Sequence, residues 1–151
     1  MSRALEAVVP PALVELLNAE PRAEGTAILV LTVREDGFPH QAMVSIGELA
    51  ALDSGRLALA LWPDSTTAAN LKRTNALTLA VVIGATSYSI RATAQQREDV
   101  GRLAGFELTV VGANADEAPY ATLTSGVRFR LNDPDEVLAR WREVREALEN
   151  E

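Results

Sequence analysis

The chain has 151 residues, a formal net charge of −7, and 48% hydrophobic against 23% charged residues. At roughly 150 residues per domain this is one globular domain, residues 1–151, able to bury roughly 70% of its extended-chain surface without cross-links. Without cysteine and with His40 as its sole histidine, one chain excludes disulfides, thiolate nucleophiles, Cys-ligated metal and a multi-His metal site.

The acidic balance opposes nonspecific binding to nucleic acid or anionic lipid. No run of about 20 apolar residues is present, so no membrane span is expected. The first residues lack the charged-then-apolar pattern of a signal peptide. A soluble cytoplasmic protein is the expectation.

Residues 10–18 predict a short helix, with Pro10 and Pro11 at its entry and Leu13, Leu16 and Leu17 on one face. Residues 27–33 form a continuous aliphatic run and predict a strand buried on both faces. Asp36-Gly37 then signals a hairpin. The return strand, about 40–46, alternates Gln41, Met43 and Ser45 against Ala42, Val44 and Ile46. Residues 56–62 alternate Leu57, Leu59 and Leu61 against Ala58, Ala60 and Trp62.

Pro63-Asp64-Ser65 breaks that strand and opens a helix running to about Arg73, with Asp64 or Ser65 as the N-cap. Residues 77–83 and 88–94 predict two further strands, and 96–105 a charged helical turn. Residues 106–111 and 127–131 predict the last strands. Asp133-Pro134-Asp135-Glu136 opens a closing helix, about 134–149, through an Asp133 cap and a capping box with Glu136. Its apolar stripe is Val137, Trp141, Val144 and Leu148.

Six to seven mostly antiparallel strands joined by tight turns predict a mainly β fold, a closed or split β-barrel with short peripheral helices. The order of elements is not βαβαβ, and no G-x-G-x-x-G occurs, so a Rossmann domain is not expected. The alanine-rich faces at Ala58, Ala60, Ala92 and Ala94 suit close packing of a second copy. Core packing is the simpler account of Trp62.

The stretch 62–82 carries the most chemistry. Ser65, Thr66 and Thr67 gather at a helix N-terminus, where free N–H groups and the positive dipole end favour an anion. The same hydroxyls equally serve as ordinary helix caps. Arg91, Arg128 and Arg130 read as solvated strand faces. No Ser-His-Asp order and no paired-carboxylate motif occurs, so no catalytic residue and no metal ligand is assigned.

Two segments, AILVLTVREDGFPHQAMVSI (27–46) and DSTTAANLKRTNALTLAVV (64–82), resemble the pyridoxamine 5′-phosphate oxidase-like, FMN-binding split-barrel flavoproteins. The first matches a buried strand, Asp-Gly, X-Pro-His and a second strand. The second is similar to the family's Ser-Arg-Lys-x-x-Asn-Leu-Arg-x-x-Pro-x-Val-x-Leu. With the strand order, the resemblance covers roughly residues 10–95.

The resemblance implies a homodimer of split barrels with FMN at each end of the interface, and flavin redox chemistry on a small-molecule substrate. It places Gln41, Met43, Val44 and Ser45 along the flavin ring, and Ser65, Thr66 and Thr67 at the phosphate. Asn70 matches the family's Asn, and Trp62 and Lys72 complete the implied cofactor-binding set. Thr66-Thr67 stands where many members have Arg-Lys, so two cations are missing from the implied phosphate site. Pyridoxamine phosphate oxidation itself is therefore not expected. Two other readings stand beside this one: a non-enzymatic barrel dimer that has lost its flavin and serves as a binding or scaffold module, and a relative that binds a deazaflavin or haem.

Overall fold

A computed structural model describes residues 1–150. In chain order the elements are β1 (Ser2–Leu5), α1 (Pro11–Asn18), β2 (Glu24–Thr26), β3 (Ile28–Val33), β4 (Pro39–Val44), β5 (Leu49–Ala51) and β6 (Arg56–Leu61). There follow α2 (Thr66–Thr74), β7 (Ala76–Ile83), β8 (Thr86–Val100), β9 (Leu103–Asp116), β10 (Arg128–Arg130) and α3 (Pro134–Glu149). Seven strands pair antiparallel in the order β4-β3-β7-β8-β9-β6-β5, and β1 adds to β9. The sheet curls into a half-barrel with short helices around it, the split barrel expected from the turn-linked strands. No helix among the described residues is long and apolar enough to cross a membrane.

Turn chemistry sets the hairpins. Gly37 takes φ +87°, and its N–H donates to the Arg34 carbonyl at 2.9 Å. The Asp36 carboxylate accepts from the Arg34 guanidinium and from the Phe38 N–H, and these donors hold it below the usual carboxylate range. The strand before this turn does not bury both faces. Ile28, Val30 and Thr32 point inward, Leu29 and Leu31 are half-buried, and Val33 is exposed, because only one side of the curled sheet meets the core.

The charged stretch 96–105 is not a helical turn. It is the tip of a long β8–β9 hairpin in which Val100 pairs with Leu103 and Gly101 reverses the chain at φ +60°. Its polar residues sit on the exposed face of strands that continue well beyond the apolar run. Residues 127–131 do not join the barrel either: β10 pairs with β2 in a separate two-stranded ribbon. Arg128 and Arg130 face solvent there, as a strand with one covered face requires. Gly126 packs closely against Val82, whose Cβ would lie 2.9 Å from an added methyl. Arg91 is exposed and donates to Asn114.

The barrel interior holds Leu57, Leu59 and Leu61 of β6 with Leu13 and Leu17 of α1, Leu71 of α2, Leu79 of β7 and Phe106 of β9. Ala92 and Ala94 face this same core. The opposite side of β6 presents Ala58 and Ala60, which with Ala50 of β5 lie under Val144 and Leu148 of α3. Small side chains let the helix approach the sheet closely. All four alanines are therefore covered within the chain, and none offers a flat face to a second copy.

Three sets of contacts fasten α3. Arg97 donates to the Leu148 and Asn150 carbonyls, tying the β8–β9 hairpin to the helix end. Arg145 donates to the Leu17 and Ala19 carbonyls, placing a cation at the C-terminus of α1, where the helix dipole favours it. Trp141 is 5% exposed and meets Phe129 edge-on, with ring centroids 5.8 Å apart. Val144 and Leu148 are buried and Val137 half-buried, so the predicted stripe faces inward. The expected Asp133 cap does not form: no side-chain bond closes that N-terminus.

Candidate functional site

The hairpin strand β4, the end of β6 and the turn into α2 meet the β8–β9 tip and α3 around a cavity of about 530 Å³. This falls within the roughly 300–1,000 Å³ of small-molecule sites. Met43 and Val44 border it from β4, Trp62, Ser65 and Thr67 from the turn and helix start. These five residues come from two segments, and only the curl of the sheet brings them together.

Met43 is 52% exposed and Trp62 is 56% exposed. Core packing of Trp62 is thus overturned. β6 ends at Leu61, and Pro63 turns the chain outward before the indole can enter the barrel. Gln41 lies on the same exposed face of β4 as Met43 but does not line the cavity. Ser45 is buried in the turn after β4, where its hydroxyl donates to Glu48 at 2.8 Å and accepts from the Gly47 N–H. That turn ends the strand at Val44, two residues earlier than the alternation predicts.

Ser65 is the N-cap of α2. Its hydroxyl accepts from the Ala68 N–H at 3.1 Å and donates to the Trp62 carbonyl at 2.7 Å. Asp64 is exposed and caps nothing, so its carboxylate does not occupy the helix N–H groups. Thr66 is exposed at the first helical position. Thr67 is 2% exposed, borders the cavity, and its hydroxyl makes no hydrogen bond among the described residues. The N–H groups of this first turn have no carbonyl one turn back to meet.

Asn70 is buried away from the cavity. Its amide donates to the Thr32 hydroxyl at 3.0 Å and accepts from Arg73 at 3.1 Å, so it joins α2 to β3. Lys72 is exposed on the outer face of α2. His40, half-buried in β4, pairs in register with Thr32 and stands apart from the cavity lining.

Sequence reasoning missed one whole wall of the cavity, formed by Arg102 and Leu103 of the hairpin tip and Arg140, Trp141 and Val144 of α3. Arg102 fell in a segment read as a helical turn. Trp141 was legible as an apolar residue of an amphipathic stripe, but nothing in that pattern says that the stripe's edge meets a cavity. Glu48 also borders the cavity. Its carboxylate is held by Ser45 N–H at 2.6 Å and by the Trp141 indole N–H at 3.1 Å.

Fold and site define the class: a split barrel with a ligand-sized cavity at its strand-to-helix turn. Residues 10–137 match the family described as pyridoxamine 5′-phosphate oxidase, and the chain belongs to the pyridoxamine 5′-phosphate oxidase-like family. It is 36% identical over 131 residues to the uncharacterized protein YclD of Bacillus subtilis (strain 168), covering 81% of this chain and 82% of YclD. The fold is similar to that of an FMN-binding protein from Syntrophomonas wolfei subsp. wolfei, with a TM-score of 0.54 and 14% identity over 69% of this chain and 83% of that one. It is also similar to an F420 reductase, with a TM-score of 0.54 and 14% identity over 70% of this chain and 98% of that one. At such identities the likeness speaks for the fold alone.

Proposed function

We propose that this protein binds FMN in the cavity between β4, the start of α2 and α3, and works as a flavin-dependent oxidoreductase on a small-molecule substrate in the cytoplasm. The observation that carries this reading is the meeting of Met43, Val44, Trp62, Ser65 and Thr67 around one cavity of about 530 Å³. The residues present suit the group. Met43, Val44, Leu61 and Trp62 offer apolar surface to a planar ring, and Thr67 offers a hydroxyl with no partner among the described residues. FMN, when bound, supplies hydride and electron transfer, while the chain binds it, orients it and limits access to it.

The experiment is the visible absorption spectrum of the purified protein, before and after incubation with FMN. Flavin bands approaching one per chain are expected after incubation. A protein that stays colourless with excess FMN removes this reading and favours the rival that Thr66-Thr67 supports, a barrel that has lost its flavin and acts as a binding module. A deazaflavin, the ligand of the other cofactor reading, is the second ligand to titrate.

A homodimer is part of the proposal. β4 is an edge strand of the sheet, and its Met43 together with Trp62 leaves apolar surface exposed in the single chain. Unpaired edges and apolar patches of this kind are usually covered. Sedimentation at micromolar concentration is expected to give twice the chain mass, and a purely monomeric protein would contradict the pairing.

A further inference from the structure

The helix start at Ser65–Thr67 has hydroxyls and N–H groups but no cation of its own, and Lys72 stands on the outer face. A doubly charged phosphate placed there needs positive charge from elsewhere. Two arginines border the same cavity from different elements. Arg102 sits at the β8–β9 tip, beside Gly101, and Arg140 sits on α3. Neither forms an ion pair or hydrogen bond among the described residues, in a chain with seven excess negative charges.

Both arginines stand on braced elements. The tip is closed by the Val100–Leu103 pair. The helix is held by Trp141 to Glu48 and by Arg97 to its last carbonyls. A guanidinium presented from a rigid element suits phosphate, because its planar fork can give two parallel hydrogen bonds. The carboxylates at the cavity are Glu48 and Glu143. Glu48 is engaged by Ser45 and Trp141. Glu143 lies one helical turn from Arg140, has no partner among the described residues, and opposes an anion.

We infer that Arg102 and Arg140 supply the charge for the phosphate end of the ligand, replacing the cations absent at 66 and 67, with the Thr67 hydroxyl as a further donor. The inference rests on the flavin reading above. It concerns which residues of this chain tell a phosphorylated flavin from its dephosphorylated form.

The test is a fluorescence-quenching titration of FMN and of riboflavin against the wild type, Arg102→Gln, Arg140→Gln, the double variant and Glu143→Gln, with a thermal melt of each. The wild type is expected to prefer FMN over riboflavin by tenfold or more. Each arginine substitution should loosen FMN by about tenfold, the difference between a charge-assisted and a neutral hydrogen bond, and leave riboflavin unchanged. Glu143→Gln should tighten FMN and also leave riboflavin unchanged. Equal FMN affinity in wild type and double variant overturns the inference alone. Parallel loss of both flavins overturns it too, since that marks damage to the cavity. Binding of neither flavin by the wild type overturns both the inference and the flavin reading.

Discussion

Trp141→Ala is expected to lower stability by about 3–5 kcal/mol, the range for emptying a large buried aromatic site. The indole is 5% exposed and is held on three sides. Its N–H donates to Glu48 at 3.1 Å, its edge meets Phe129, and its face lies on Gly47 so closely that an added Cβ would come within 2.1 Å of Cγ. Alanine would leave a hole between α3 and the sheet and strip the Glu48 carboxylate of one donor. At about 2–4 °C per kcal/mol for a chain of this size, the thermal midpoint should fall by roughly 6–20 °C. Trp141→Phe keeps most of the ring and loses only the N–H, so its loss should be smaller, about 1–3 kcal/mol. Melts followed by circular dichroism decide it. An unchanged midpoint for Trp141→Ala would show that α3 is a loosely attached tail. That result would also remove one wall of the cavity.

The second large effect is a gain. Replacing Thr66 and Thr67 with Arg and Lys should tighten FMN binding by tenfold or more. A hydrogen bond to a charged group contributes roughly 1.5–3 kcal/mol, against about 1 for a neutral one. The two positions differ in cost. Thr66 is exposed, so an arginine there displaces nothing. Thr67 is buried but opens on the cavity, so a lysine must extend into that space. Thr66→Arg alone is the control that separates added charge from crowding. Fluorescence titration of the three proteins with FMN measures both. Unchanged affinity in the double variant and in Thr66→Arg would mean that the phosphate is not held at the helix start, and that Ser65 serves only as the cap it is seen to be.

Local pattern was enough for whatever depends on neighbours in sequence. Asp36-Gly37 dictated a hairpin because glycine accepts the positive φ that the turn requires, and the Leu/Ala alternation of residues 56–61 dictated a strand with two unlike faces. Those signals, with the two family-like segments, were sufficient for the split barrel and for the family. They also singled out Met43, Val44, Trp62, Ser65 and Thr67. What covers each face, and which remote side chains complete the cavity, depends on how the sheet curls. Periodicity along a strand carries no record of that. Ala58 and Ala60 could be small to receive a second copy or to receive α3, and the docking of α3 decided for the helix. Trp62 reads as core by hydropathy, yet Pro63 and the end of β6 leave it outside. Asn70 matches a family position, but the Thr32 hydroxyl of the neighbouring β3 and the Arg73 guanidinium take up its amide. Arg102 and Arg140 lie 38 positions apart in the chain and reach one cavity only because the tip of a long β-hairpin and the flank of α3 both border it. Charge at a site is a sum over space, and the sequence by itself orders these residues only along the chain.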